Sequence, residues 1–283
     1  MTTTTIKQAI AKSAEGYPLL GWIIYWSTSQ FREDVSKVKA VLAEVGIDEE
    51  YARLIAPSTA LQAAFDKSVT GQNMKKMTVR PTDDSSKTII TLIRGSAAGM
   101  EVDVDSITRG WLVNDDAMIV GEFADEIRSE FHVRKSTYTN TQFVSLVKDY
   151  ISAEASSLTL RDHGGVYFIP AHKETEFKKL LALFSAFSSA SIDVVPVIDT
   201  QQAKRSVWSA LTADIEAELA SLQTQLDGWE KDGDPRDGVI QRRLEQYASL
   251  KEKVEDYSVL LSGAANELQE KLDTVAKKLR EKL

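Results

Sequence analysis

Carboxylates between residues 101 and 116 form the densest group of side chains that could do chemistry. Glu101, Asp103 and Asp105 alternate along a predicted strand, which places them on one face at spacings of about 7 Å. With Asp115 and Asp116 they offer hard oxygen ligands to a divalent cation, and a metal-dependent enzyme is one interpretation of the pattern. A solvated strand face that limits edge-to-edge pairing explains the same residues, and we favour it. The sequence thus contains five candidate metal ligands, but we predict neither a bound metal nor a cofactor.

The chain has few residues that could act through an imidazole or as a nucleophile. His163 and His172 flank a predicted hairpin and Asp162 adjoins His163, but neither HExxH spacing nor a GxSxG motif occurs. The glycines at 95–99 lack both the Lys-Ser or Lys-Thr of a phosphate-binding loop and the GxGxxG spacing of a dinucleotide site. The absence of cysteine excludes disulfide scaffolds, thiolate metal sites and cysteine nucleophiles. We therefore expect a non-enzymatic protein without catalytic residues.

Charge is unevenly distributed along the chain. Of 34 Lys+Arg and 42 Asp+Glu, residues 96–130 hold 2 basic and 9 acidic side chains, which supplies most of the net charge of −8. That segment predicts one acidic surface, which either keeps the protein in solution or contacts a basic partner. Residues 131–199 are neutral overall, so an accessory nucleic-acid-binding role through their basic side chains is our alternative function. The basic candidates are Arg134, Lys135, Lys148, Arg161, Lys173, Lys178 and Lys179.

A mixed set of elements must position these side chains. Leu19–Ser27 is apolar on both faces, which predicts a strand in the centre of a sheet. Helical periodicity then predicts helices over 31–45 and 58–68, followed by a β-rich meander up to residue 130. Its strands are predicted at 77–80, 88–93, 102–107, 111–113 and 118–120, with a hairpin between the last two.

The middle of the chain predicts a helix–hairpin–helix–strand module. Thr139 and Gln142 form a capping-box pattern ahead of an amphipathic helix. The module continues with a hairpin over 158–169, a helix over 173–187 and a strand over 192–198. Pro196 lacks a backbone donor and therefore favours an edge position for that last strand.

The last 84 residues carry a different pattern. Apolar residues from Ile215 to Trp229 recur at 4-3-4-3 spacing, and a second heptad register follows from Ile240. Between them, residues 228–238 contain three glycines and a proline and predict a break. We expect an antiparallel coiled-coil hairpin whose second helix extends past the first. That extension would leave four apolar side chains available to a partner: Leu268, Leu272, Val275 and Leu279.

Three segments together resemble a known family. They are Leu19–Ser27 (LLGWIIYWS), Gly164–Pro170 (GGVYFIP) and Val195–Thr200 (VPVIDT), the last followed directly by a long helix. This order is similar to that of an uncharacterised family of bacterial, archaeal and phage proteins, catalogued as a domain of unknown function. The resemblance spans residues 17–225 and implies no activity, cofactor or catalytic residue. The family's occurrence in phage and mobile-element settings implies a role in phage biology or host defence.

The elements together predict an α+β protein with a mixed or antiparallel sheet body and a C-terminal helical hairpin. The predicted parts are a flexible tail over 1–16, an α+β region over 17–130, the module over 131–199 and the coiled coil over 200–283. We expect a non-enzymatic interaction or scaffold protein that forms a homo-oligomer or docks a protein partner through the coiled coil. No secretory signal and no run of about 20 apolar residues is evident, so we expect a cytoplasmic protein without membrane contact.

Overall fold

The computed structural model of the chain describes residues 18–69, 74–79, 88–94, 107–160, 165–232 and 237–260, with positions 268, 270, 272–275 and 277. The chain divides into two compact units. The terminal unit comprises Met1–Ser29 and Val144–Leu283, and the inserted unit comprises Gln30–Phe143. These units differ from the predicted cuts near residues 130 and 200, because the first strand pairs with strands from the second half of the chain.

The first half of the described chain contains both strands and helices. The first element, β1 (Leu19–Ser27), is the strand that its apolar sequence predicts. The inserted unit follows with β2 (Arg32–Asp34), α1 (Val35–Val45), a 3₁₀ turn (Glu49–Tyr51), α2 (Pro57–Val69), β3 (Met74–Val79), β4 (Ile89–Arg94), β5 (Ile107–Val113), β6 (Asp116–Val120), α3 (Ala124–Ser136), β7 (Thr137–Thr139) and the start of α4 (Asn140–Ala153). Strands β3 to β6 form an antiparallel meander in sequence order, and β2 pairs with β7.

One face of the meander carries the core of the inserted unit. Phe65 of α2 and Phe131 of α3 are buried together with Ile90 and Ile119 of the sheet. Gly110 of β5 lies so close to Phe65 that an added Cβ would stand 2.6 Å from its ring. Helices α2 and α3 therefore pack on this face and stabilise the sheet by apolar burial.

The predicted hairpin between β5 and β6 is confirmed. Asn114 and Asp115 form its two-residue turn with φ angles of 50° and 61°. Positive φ at both positions gives the turn a twist that matches the flanking strands, and Asn and Asp tolerate this conformation better than most residues.

Two predictions are wrong in the inserted unit. Helix α1 begins at Val35 rather than at residue 31, because residues 32–34 pair with β7 as a strand. The first part of helix α3, up to residue 130, occupies residues that we assigned to the meander. Its inward face has only two buried side chains, Ile127 and Phe131, which is too few to establish a helical period in the sequence.

The terminal unit contains a second sheet built around β1. Its further elements are the rest of α4, β8 (Leu158–Thr159), β9 (Val166–Pro170), a 3₁₀ turn (Ala171–Lys173), α5 (Glu174–Ser185), β10 (Ser191–Ile198), α6 (Gln201–Asp232) and α7 (Asp237–Leu260). The sheet is antiparallel with the order β10-β1-β9-β8, which confirms the central strand, the hairpin and the edge strand with Pro196. Trp22 of β1 stacks on Phe177 of α5, whereas Ile23 packs against the core shared with α6.

Helices α6 and α7 run antiparallel, as we predicted for the C-terminal region. Lys253 Nζ lies 2.7 Å from Asp214 Oδ2. Gln246 Nε2 donates to Glu218 Oε2 at 2.6 Å, so earlier residues of α7 meet later residues of α6. These polar pairs flank a shared apolar core that includes Leu222 and other buried residues of both helices.

The break between the two helices is shorter than predicted. Helix α6 continues through Gly228 to Asp232, and α7 starts at Asp237, whereas we predicted a break over 228–238. A glycine inside a helix costs only about 1 kcal/mol relative to alanine, which a helix of this length tolerates.

Within the described residues, no helix is long and apolar enough to cross a membrane.

The C-terminal apolar stripe is covered by the chain itself, which corrects our prediction of an open surface. Leu268, Leu272 and Val275 are buried in one core with α6 and α7. Leu279, the fourth predicted member, lies outside the described residues. The described part of the stripe therefore offers no open apolar surface to a partner.

A hydrogen bond between α7 and the same segment shows how the two are placed. Tyr247 Oη donates to Asp273 Oδ1 at 3.2 Å. In one straight helix these residues would be about 39 Å apart, at a rise of 1.5 Å per residue. The chain has therefore reversed direction by residue 268, and the described helical residues between 268 and 277 pack back on α7 instead of extending past it.

Candidate anion-binding site

A cavity of about 770 Å³ lies within the inserted unit, where β2, β7 and the ends of α2, α3 and α4 converge. Four of its lining side chains are cations, Arg32, Arg53, Lys67 and Arg134, and one is a carboxylate, Glu130. The cavity thus has a surplus of three positive charges, and we call it the basic pocket. Its other lining residues are Phe31, Leu54, Ile55, Thr137 and 139–142.

Local pairing brings the two ends of the inserted unit together at the pocket. Arg32 of β2 lies opposite Thr139 of β7 in the antiparallel ladder. The Oε1 atom of Gln142 accepts from Thr139 N at 2.9 Å, which is one half of the predicted capping box. Thr139 Oγ1 donates to the same oxygen at 2.8 Å, so the backbone N–H and the hydroxyl of Thr139 both bond to Gln142. The amide of Gln142 also donates to the Arg53 carbonyl oxygen at 3.4 Å, which links the loop after the 3₁₀ turn to the start of α4.

Glu130 neutralises part of the pocket's charge. Its Oε2 lies 2.5 Å from Lys67 Nζ, and its Oε1 lies 2.8 Å from Arg134 Nε. Burial alone would raise the pKa of Glu130, but the hydrogen bond from Lys67 and the charge of Arg134 outweigh it, so the pKa is below its usual value. Glu130 therefore stays ionised at neutral pH and holds two of the four cations in place.

This combination of shape and charge suits a phosphate-bearing ligand. Guanidinium groups present paired N–H donors that match the oxygens of a phosphate. The positive end of the α4 dipole adds to the same field, because residues 140–142 of its first turn line the pocket. A cavity of this volume lies in the range that small-molecule ligands occupy.

The structure describes only two of the five predicted metal candidates. Glu101, Asp103 and Asp105 lie outside the described residues. Asp115 and Asp116 are exposed at the β5–β6 turn, where Asp116 Oδ1 accepts from the next backbone N–H at 2.9 Å. Among the residues that the structure describes, no group of three or more His, Asp or Glu could hold a metal ion.

The basic residues predicted for nucleic-acid contact belong to different units. Arg134 and Lys135 lie in the inserted unit, whereas Lys148, Lys173, Lys178 and Lys179 lie in the terminal unit, and Arg161 is outside the described residues. The ammonium groups at positions 173 and 178 are 3.0 and 2.8 Å from carboxylates at positions 256 and 174. Of the described candidates, Arg134 alone lines the basic pocket.

Sequence reasoning missed three of the four pocket cations. The missed cations are Arg32 in a short strand, Arg53 in a loop and Lys67 in a helix. No spacing in the sequence links them to Arg134. The one signal near the site is the capping pattern at Thr139, which marks the start of α4 but not the cations around it.

Comparison with known proteins gives one match. A model of a family of unknown function, DUF6744, matches residues 19–283 of the chain. No curated protein and no solved structure matches it.

Proposed function

The chain belongs to DUF6744, a family of unknown function, and we propose for it a non-enzymatic role in which the inserted unit binds a phosphate-bearing ligand in the basic pocket. The observation that supports this is the convergence of four cations on one cavity that holds a single carboxylate. Like charges that are gathered in one cavity repel each other, and this repulsion destabilises the unit unless an anion offsets it. A phosphate group offers several charged oxygens for that purpose.

The state of Glu130 supports binding rather than catalysis. A general base works best when its pKa is raised towards the working pH. Two cations within 3 Å keep the Glu130 carboxylate paired, and its pKa is lowered instead. Its role in this proposal is to orient Lys67 and Arg134.

Charge outside the pocket supports a compact ligand rather than a long nucleic-acid strand. The inserted unit carries 14 Lys+Arg and 18 Asp+Glu, so it is acidic as a whole. A protein that binds along a nucleic acid needs a basic face several phosphates long. Among the described side chains of this unit, four cations gather at one cavity, which suits a ligand that fits inside it.

Calorimetric titration of the full chain with inorganic pyrophosphate in about 50 mM salt tests the proposal. We expect saturable binding with one site per chain. Arg32→Gln should weaken it about tenfold, because a hydrogen bond to a charged group contributes about 1.5–3 kcal/mol. Among the described residues no carboxylate pairs with Arg32, so this substitution leaves the internal ion pairs intact.

Arg109→Gln is the matched control, because Arg109 is an exposed arginine of the same unit on β5 that does not line the pocket. It should bind pyrophosphate as the unmodified chain does. The absence of binding, or an equal loss in both variants, would show that the pocket is not an anion site.

A further inference from the structure

The basic pocket has an apolar wall beside its cations. Leu54 is 47% exposed, although it is a large apolar side chain, and it directly follows Arg53. Ile55 is half-buried next to it, and Phe31 lies behind, almost fully buried and stacked on Phe143 with ring centroids 4.0 Å apart. Inorganic phosphate would leave this wall in water, so the wall indicates a ligand with an apolar part next to its charge.

From this juxtaposition of cations and apolar side chains, and resting on the proposed function, we propose that the ligand is a nucleoside phosphate. The phosphates lie among the guanidinium and ammonium groups, and the planar base packs on Leu54 and Ile55. Thr137 and Thr141 line the same cavity and supply hydroxyls to the sugar or the base edge. The cavity of about 770 Å³ has room for a ligand of this size.

A free nucleotide fits this site better than a nucleotide within a strand. Glu49 and Glu50 are exposed a few residues before Arg53, in a unit that is acidic as a whole. A strand leaving the pocket would carry phosphates across such carboxylates, which repel them. A mononucleotide ends within the cavity and avoids that repulsion.

Titration of the full chain with three probes tests this inference. The probes are inorganic pyrophosphate, adenosine diphosphate and a ten-residue single-stranded DNA, all in the same buffer. We expect adenosine diphosphate to bind about tenfold more tightly than pyrophosphate, because it adds an apolar contact to the same charges. In Leu54→Ser the ratio of the two affinities should fall towards one, because the apolar contact to the base is lost.

Val113→Ser is the matched control. Val113 is 45% exposed in the same unit and does not line the basic pocket, so the preference for adenosine diphosphate should persist in this variant. Equal affinity for pyrophosphate and adenosine diphosphate would overturn the nucleotide inference and leave the anion site standing. Tighter binding of the DNA than of adenosine diphosphate would also overturn it. Failure of all three probes would instead remove the proposed function.

Discussion

Asp256 of α7 joins residues from separate parts of the terminal unit. Its carboxylate accepts a hydrogen bond from the Ser156 hydroxyl, lies 3.0 Å from Lys173 Nζ and 3.9 Å from His172 Nε2. The neighbouring Tyr257 is buried, and its hydroxyl donates to the Ser156 carbonyl oxygen at 2.8 Å. Ser156 has a φ of 46°, a conformation that a non-glycine residue rarely adopts unless its surroundings hold it. These contacts fix α7 to the loop before β8 and to the 3₁₀ turn after β9.

The same cluster predicts that the stability of the fold depends on pH. Burial lowers the pKa of His172 below its ordinary value of 6.5, and this outweighs the attraction of Asp256. A lowered pKa means that protonation favours the unfolded chain, so stability is present above pH 6.5 and falls as the pH drops below it. Burial alone would raise the pKa of Asp256, but hydrogen bonds from Ser156 and Lys173 outweigh it and lower this pKa below 3.8. The stability that Asp256 contributes is therefore lost only in more acidic solution.

We therefore predict that the free energy of unfolding, measured in urea, decreases between pH 7 and pH 5 and decreases less in His172→Gln. His132→Gln is the control, because His132 is exposed on α3. The same pH dependence in His172→Gln as in the unmodified chain would show that this imidazole does not couple folding to pH.

At the scale of elements, the described helical residues between 268 and 277 contribute three side chains to the core, Leu268, Leu272 and Val275. Leu272 is fully buried among residues of α6 and α7. We predict that Leu272→Ala lowers the free energy of unfolding by about 2–5 kcal/mol, because it leaves a cavity in addition to losing buried surface. Urea denaturation followed by circular dichroism measures the change.

Lys277→Ala is the control for that substitution, since Lys277 is exposed in the same segment. It should change stability by less than about 0.5 kcal/mol. A Leu272→Ala chain as stable as this control would show that the segment does not pack on α7.

Elements with a strong local pattern could be predicted from the sequence. The two-sided apolar run of β1, the turn at Asn114 and the position of Pro196 each reflect a local physical constraint, and each prediction is confirmed. Helix α3 has only Ile127 and Phe131 on its buried side, so local pattern did not distinguish it from strand. The reversal after α7 was missed because the heptad pattern gives the apolar face but not the partner that covers it.

At the scale of the whole molecule, the chain order hides both the division into units and the candidate site. β1 pairs with β9 and β10, which lie on the other side of the inserted unit in the sequence. The terminal unit is therefore formed from two separate segments of the chain. Arg32 and Arg134 line one cavity although about a hundred residues separate them, and no pattern within a window of 10–20 residues relates two such positions. The net charge of segments along the sequence did not indicate the candidate site either, because the positive cavity lies in a unit that is acidic as a whole.

Assembly into a homo-oligomer or scaffold, and a setting in phage biology or host defence, stay predictions. The apolar stripe that motivated self-association is buried at Leu268, Leu272 and Val275. Among the described residues it therefore gives a second copy of the chain no apolar surface to cover.

Hydrogen exchange of the full chain, with and without saturating pyrophosphate, tests the anion site in place. Bound ligand should slow amide exchange in peptides that cover residues 30–34, 52–56 and 137–143, because these segments line the pocket and their local opening would release the ligand. Peptides of α7, which belongs to the terminal unit, should exchange at the same rate in both samples. Protection confined to the terminal unit, or no protection in the three pocket segments, would contradict the assignment of the pocket as the binding site.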